Sequence, residues 1–319
     1  MADNIRYSIV IPIFNEEEVI PELILRLDKL IAQLDGGVEV LLVDDGSRDN
    51  SAFMLREKTR QDPRYRLLRM SRNFGHQIAI TAGLDHASGD AVIVMDADLQ
   101  DPPEVVLAMI GKWKEGWEIV SGRRIRRENE TLFKRLSAHV FYRILRRFAS
   151  VGIDPDVGDF RLLDRQVVES FRSMREQDRF VRGMISWLGF RQTYVEYVRQ
   201  GRHAGQTKYP LMKMIRLALS GIIGFSDVPL RMALWFGIAV SVAALAYGVI
   251  VIINWLLHDA TVQGWASTVV ILSLLGGINL MTMGIVGLYV GRIFSQVKER
   301  PLYVLRQDHD RDRQPQAGH

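Results

Sequence analysis

The chain has 319 residues, with 41 Lys and Arg against 37 Asp and Glu, a formal charge of +4 and no cysteine. That length holds one large domain or two. The missing cysteines exclude a disulfide framework and a thiolate metal site, and the near balance of charge weighs against nucleic acid as the partner.

Met1 to Tyr7 is short and polar and leads directly into a strand, so no secretory signal is expected. Ser8–Ile13 is apolar and reads as the first strand. Apolar residues then recur with helical period at Ile20, Leu23, Ile24, Leu27, Leu30, Ile31 and Leu34. Asn15 is the expected cap of that helix, Glu16 to Glu18 suit its dipole, and Gly36-Gly37 ends it. Val38–Val43 is a second strand, with Asp44-Asp45-Gly46-Ser47 at its carboxyl end. A third strand is expected over Arg66–Met70, followed by Arg72-Asn73-Phe74-Gly75 and a helix over His76–Ala87.

Ala91–Met95 is the fourth strand and runs straight into Asp96-Ala97-Asp98-Leu99-Gln100-Asp101-Pro102-Pro103. In an open α/β sheet, ligands bind beyond the carboxyl ends of the strands. Two carboxylates spaced i, i+2 at that rim suit Mg²⁺ or Mn²⁺, which takes few protein oxygens and completes its shell with substrate phosphates. Alone, the pair reads better as a solvated acidic turn, and the rest of the chain reverses that reading. The alternation of strand and helix predicts a mostly parallel sheet covered on both faces. No Gly-x-Gly-x-x-Gly or Walker sequence is present, so a dinucleotide cofactor or a P-loop NTPase is not supported.

Trp117–Gly122 is a further strand ending in Arg123-Arg124, and from there to Arg147 the chain holds eight arginines and Lys134. Anionic lipid headgroups or a lipid phosphate are the partners expected for this stretch, and nucleic acid is not. Asp159 follows Gly158 in a turn-like segment. The loop Arg202–Tyr209, with Arg202 and Lys208, reads either as a flap over a diphosphate or as an ordinary connector. Pro210–Asp227 is amphipathic, with Lys213 and Arg216 on its polar side, and is expected to lie in a membrane interface.

Met232–Leu257 spans 26 residues and Ala260–Gly291 spans 32, both without an Asp, Glu, Lys or Arg. About 20 apolar residues cross a bilayer as a helix, so each stretch is long enough. Arg231 precedes the first, Arg292, Lys298 and Arg300 follow the second, and the link at His258-Asp259 carries no Lys or Arg. The positive-inside rule then predicts both termini and the polar domain in the cytoplasm. Gly276, Gly277 and Gly284 allow close helix contacts, and a homo-oligomer is expected.

With these pieces in place, the chain resembles family-2 glycosyltransferases with a GT-A domain, and more narrowly the membrane polyisoprenyl-phosphate glycosyltransferases. The carrying residues are Val10–Glu17, Val43–Ser47, Arg72–Gly75, Asp96–Pro103 and Arg202–Tyr209, in that order, before two C-terminal spans. The resemblance implies an α/β fold: a GT-A catalytic domain over 1–208, an interfacial region over 209–229, transmembrane helices over 230–258 and 264–292, and a cytoplasmic tail over 293–319. It implies an inner-membrane enzyme whose partners are a nucleotide sugar, a polyprenyl phosphate and the bilayer.

It also implies roles. Pro12, Asn15, Glu16 and Asp44 would line the nucleoside pocket, and Asp96, Asp98 and Gln100 would hold the divalent ion against the donor diphosphate. Arg202 and Lys208 would clamp that diphosphate. Arg124 would meet the lipid phosphate, with Arg135 and Ser137 as the nearest further candidates. Asp98, Arg124 and Asp159 form the expected catalytic set. Asp159 matches the position where many inverting enzymes keep a general base. A phosphate monoester has a second pKa of about 6 and needs no deprotonation at neutral pH, so a positioning role competes with that one.

The expected reaction is inverting transfer of a hexose, glucose from UDP-glucose, to a polyprenyl phosphate such as undecaprenyl phosphate. GDP-mannose or another UDP-sugar is the alternative donor. A catalytically inactive membrane scaffold on the same fold is the alternative outside enzymes.

Overall fold

The structure, a computed structural model, describes residues 5–125, 157–198, 228–258 and 264–306. The described residues up to 198, together with 301–306, form one compact unit, and 228–258 with 264–300 form a second.

The first unit is built on one mixed sheet of seven strands in the order β3-β2-β1-β4-β6-β5-β7. The strands are β1 (Ile5–Ile13), β2 (Gly37–Asp44), β3 (Tyr65–Arg69), β4 (Ala91–Val94), β5 (Ile119–Arg124), β6 (Val157–Asp164) and β7 (Gln192–Tyr197). β1 pairs in parallel with β2 and with β4, and β2 with β3. β6 runs antiparallel to β4 and to β5. The strand order reverses between β1 and β4, the switch point at which an open sheet leaves a crevice beyond its carboxyl ends. The near-continuous apolar runs of β1, β2 and β4 follow from burial on both faces.

Helices α1 (Ile20–Ile31), α2 (Ser51–Gln61) and α4 (Val105–Lys114) share a core with Tyr7, Ile9, Ile11, Val40 and Leu42. Helices α3 (His76–His86), α5 (Arg165–Ser173) and α6 (Val181–Trp187) pack together. There α3 lies so close to β1 that a Cβ on Gly83 would come within 2.1 Å of Val10 Cγ1. Gly83→Ala is therefore expected to destabilise the unit by about 1–3 kcal/mol through overpacking, despite alanine's better helix propensity. An unchanged melting temperature would mean that α3 can slide outward at no cost.

Buried on β2, Glu39 accepts hydrogen bonds from Ser8 Oγ, Ser88 N and Arg66 Nη1, each at 2.6 Å. Burial would raise its pKa, but these donors outweigh it and hold the carboxyl below its ordinary range. The loop that delivers β4 is thus tied to the sheet by a charge satisfied on every side.

After the second apolar helix, the chain returns to this unit. Met70 and Leu305 form an antiparallel bridge. Ser71 N donates to Val304 O at 2.8 Å, and Arg306 N donates to Arg69 O at 2.8 Å. Tyr303 OH donates to Asp85 Oδ2 at 3.1 Å. This segment pairs with the chain at the carboxyl end of β3, where it satisfies backbone groups of Arg69 and Ser71.

The second unit contains α7 (Val228–His258, 31 residues) and α8 (Trp265–Val297, 33 residues). Both are long and apolar enough to cross a membrane, and neither apolar window is buried inside the protein. Leu234, Trp235, Phe236, Leu245, Leu272 and Leu280 stand exposed on them.

Two local expectations are corrected. Asn15 does not cap α1, which starts at Ile20 with no side-chain cap. Asn15 instead takes a left-handed conformation (φ 55°), and its Oδ1 accepts from Arg48 N at 2.8 Å. That bond joins the loop after β1 to the loop after β2, a use that competes with capping. Asp159 lies within strand β6 rather than in a turn.

Candidate active site at the carboxyl rim of the sheet

At the β2 end of the crevice, Asp44 is fully buried. Its Oδ1 accepts from Ser47 N at 2.9 Å, while its Oδ2 has no hydrogen-bond partner and lies 3.4 Å from Arg69 Nε. The next carboxylate, Asp45, accepts from Phe74 N at 2.7 Å and from Gly75 N at 2.9 Å. Gly46 between these loops has φ 73°, and a Cβ there would lie 2.6 Å from the Arg72 carbonyl carbon. The Arg72–Gly75 segment is therefore pressed onto the Asp44–Ser47 turn, and only glycine fits the approach.

Pro12 sits where β1 leaves β4. The last bond between these strands is donated by Met95 N to Val10 O at 3.1 Å. Residue 12 points its backbone nitrogen to that same side, where no strand follows, so proline costs no ladder bond. Pro12 is buried in β1, so it shapes the mouth of the crevice from within. Asn15 is exposed and Glu16 half-buried on the loop that follows.

At the β4 end, Asp96 is 29% exposed, and its Oδ1 is buried with no hydrogen-bond partner. Burial, and then the like charges of Asp159, Asp101 and Asp98, push its pKa up to about 6 against the pull of His76. His76 Nε2 stands 3.4 Å from Asp96 Oδ1 and 3.4 Å from Asp159 Oδ2. Asp98 Oδ1 accepts from Gln100 N at 3.1 Å. Between them Leu99 is held at φ 56° with its side chain fully buried. A left-handed leucine costs on the order of 1–3 kcal/mol and persists only where packing fixes it. Here it turns the chain so that Asp98 and Gln100 follow Asp96 at the rim.

Among the described residues, no group of three His, Cys, Asp or Glu side chains forms a ready metal cage. Two carboxylates and an amide are nevertheless the donor set of an ion that takes its remaining ligands from phosphate and water. The orphaned Oδ1 of Asp96 fits that use.

Beyond β4, the register places Val94 opposite Arg161, so two residues further Asp159 lies level with Asp96. Asp159 is buried and is gripped by Arg182, with Nε to Oδ1 at 2.7 Å and Nη2 to Oδ2 at 3.0 Å. Gln77 Nε2 donates to Oδ2 at 3.3 Å, and Gln77 Oε1 accepts from Val181 N at 2.9 Å, which anchors the start of α6. Burial alone would raise the Asp159 pKa, but His76 and Arg182 outweigh it and hold the carboxyl far below its ordinary range. Its two oxygens are engaged, and it stays ionised at any working pH.

Arg124 at the end of β5 meets a different acid. Its Nη2 lies 3.4 Å from Asp101 Oδ2 and its Nε 3.3 Å from Tyr197 OH, while Tyr197 OH donates to Asp101 Oδ1. The Arg124 side chain is 30% exposed, so the pair leaves it open to the rim.

Asp44, Asp96, Asp98, Gln100, Asp159 and Arg124 therefore come to one edge of one sheet. Arg135, Ser137, Arg202 and Lys208 lie outside the described residues, as do the basic stretch from Arg126 on and the amphipathic segment before Val228. Sequence reasoning missed Arg182, Tyr197, Asp101 as a partner of Arg124, and the bracing role of Asp45. None of the four shows itself by periodicity or spacing.

The family described as "Glycosyl transferase family 2" matches residues 8–172. The chain is 49% identical over 309 residues to "Uncharacterized glycosyltransferase YkcC" of Bacillus subtilis (strain 168), covering 97% of this chain and 96% of that one. It is 40% identical over 304 residues to the "SfII prophage-derived bactoprenol glucosyl transferase" of Shigella flexneri, covering 95% and 98%. Among solved structures, mannosyl-3-phosphoglycerate synthase from Rubrobacter xylanophilus overlays with a TM-score of 0.51 at 19% identity, covering 72% of this chain and 74% of that one. At that identity the likeness is one of fold.

Proposed function

The chain belongs to glycosyl transferase family 2, and on that premise we propose that it moves glucose from UDP-glucose to a polyprenyl phosphate, with inversion at the anomeric carbon. It is a glycosyltransferase by family. The acceptor class is supported by a relative that carries "bactoprenol" in its name and matches 95% of this chain. The observation that carries the chemistry is the orphaned carboxylate oxygen of Asp96 at the switch point, beside Asp98.

Asp44 offers an acceptor oxygen to a ring N–H of the base, and the Asn15–Glu16 loop borders the same end of the crevice. Asp96, Asp98 and Gln100 would hold a divalent ion, Mg²⁺ or Mn²⁺, which supplies Lewis-acid stabilisation to the departing nucleoside diphosphate. The acceptor phosphate arrives already dianionic, so no residue needs to remove a proton from it. Asp159 accordingly positions rather than abstracts. Arg124 stands at the rim for an anion, and Arg202 and Lys208 are assigned to the donor diphosphate by resemblance alone.

The two apolar helices fit a membrane hairpin with the polar unit in the cytoplasm. The docking of Tyr303 to Arg306 on β3 supports an even number of crossings, because the chain after the second helix joins the unit that precedes the first. GDP-mannose or another UDP-sugar remains the competing donor, since a carboxylate accepts from a guanine N–H as readily as from uracil.

The test uses the full chain in detergent with undecaprenyl phosphate and a panel of nucleotide sugars. Nucleotide release and a glucosylated lipid are expected with UDP-glucose, and both should vanish with chelator and return with Mn²⁺. Release with GDP-mannose alone would replace the donor. Release with no sugar nucleotide would favour a binding protein on a transferase fold.

A further inference from the structure

Asp159 and Arg182 form a two-point ion pair in a part of the rim to which the reading above assigns no donor group. Along the sheet, the nucleoside end is β2 and β1, and the paired carboxylates Asp96 and Asp98 follow β4. Asp159 lies on the next strand, β6, away from the nucleoside. In a displacement the nucleophile approaches opposite the leaving group, so the acceptor belongs on this far side. The local charge agrees. Arg161 is buried on the same strand and Arg182 and His76 face the same acid, so two guanidinium groups and an imidazole stand by Asp159, with Asp96 as the neighbouring acid. The Arg182 side chain is 34% exposed, whereas that of Asp159 is 4% exposed, so the cation rather than the acid reaches the crevice.

We propose that Asp159 acts through Arg182: the carboxylate fixes the guanidinium beyond Asp96, and Arg182 receives the phosphate monoester of the acceptor. Asp159 is then a positioning residue. Gln77 sets the geometry by holding both Asp159 and the first turn of α6. A bidentate partner orients a guanidinium plane, and a fixed plane aims the phosphate oxygen that attacks. The inference rests on the acceptor class proposed above.

The experiment titrates decyl phosphate, a simple lipid phosphate monoester, onto the full chain loaded with UDP and Mn²⁺ in detergent, and separately measures transfer to undecaprenyl phosphate. Arg182→Gln is expected to weaken decyl phosphate binding and to raise the acceptor KM, each by about 10- to 100-fold. UDP affinity should stay within about twofold. Arg182→Lys should recover part of the binding, because it keeps the charge and loses the fork. Asp159→Asn should show the same acceptor defect, and the double variant should be no worse than either single one.

Loss of turnover in Asp159→Asn with an unchanged acceptor KM, and no acceptor defect in Arg182→Gln, would overturn the inference. So would a fall in UDP affinity in Arg182→Gln, which would assign the cation to the donor. If Arg182→Gln does not fold, Arg182→Lys and Asp159→Asn carry the same comparison. Decyl phosphate binding that depends on Arg182, without transfer to undecaprenyl phosphate, would sink the proposed function and leave this subsite standing.

Discussion

Asp96→Asn is expected to cost about 10³-fold or more in turnover and, at the same time, to stabilise the metal-free protein at neutral pH. The two effects share one cause. Asp96 carries an unpartnered oxygen in a buried, acid-rich rim, and its pKa stands at about 6, raised by burial and by three neighbouring carboxylates. The ordinary carboxyl value is about 3.9. An acid whose folded pKa is raised binds more protons in the folded state between those two values. Its contribution to stability is therefore fully favourable only near pH 4 and is lost as pH rises through about 6. At pH 7.5 the metal-free wild type bears the whole penalty, and a neutral Asn does not. A two-unit shift sets a ceiling of about 3 kcal/mol, and a side chain 29% exposed is expected to realise about 1 kcal/mol of it. Melting of the full chain in EDTA should then show Asp96→Asn higher by about 2 °C at pH 7.5, with the gap narrowing as pH falls below about 6 and closing at about pH 4. Adding Mn²⁺ should raise the wild type and leave the variant where it was, because only a species that binds the ion gains stability from it. A variant that melts lower in EDTA, or that still turns over, would remove the cation from Asp96.

The parts of this molecule that depend on burial are legible in the chain, and the parts that depend on long-range pairing are not. β1, β2 and β4 announce themselves because both of their faces are covered, so their runs are apolar almost to the rim, broken only at Arg6, Ser8 and Glu39. Asp96 and Asp98 are legible for the same reason, as charges that interrupt such a run. Asn15 illustrates the failure of local rules: its position fits a cap, but Arg48 N on another loop claims its side chain. Asp159 is placed by resemblance, and its partner Arg182 lies 23 residues further on, on a helix of seven residues with no periodicity to read. Tyr197 and Asp101 are 96 residues apart and meet only because β7 closes the edge beside β5. The docking of Leu305 on Met70 crosses both apolar helices, and no spacing rule reaches that far.

Asp44→Asn should raise the donor KM by about 10- to 100-fold and leave turnover at saturating donor nearly unchanged. Asp44 is fully buried, and its Oδ1 is consumed by Ser47 N, so the turn of the loop is already built without Oδ2. That second oxygen has no hydrogen-bond partner, although Arg69 Nε stands 3.4 Å away. A buried acceptor without a donor is costly until something supplies one, and a base N–H is such a group. In Asp44→Asn one oxygen becomes an NH₂. If the amide keeps its oxygen on Ser47 N, the NH₂ faces both Arg69 and the N–H of the base, and donor meets donor on either side. If it turns over, the loop bond is lost instead. Binding is weakened either way, and nothing at the anomeric carbon changes, which is why the loss belongs in KM. The measurement is the donor KM for each nucleotide sugar, beside equilibrium binding of the free nucleotide. A fall in turnover with an unaltered KM would mean that Asp44 touches the reaction rather than the base, and the crevice would have to be read in the opposite direction, with the nucleoside toward β6.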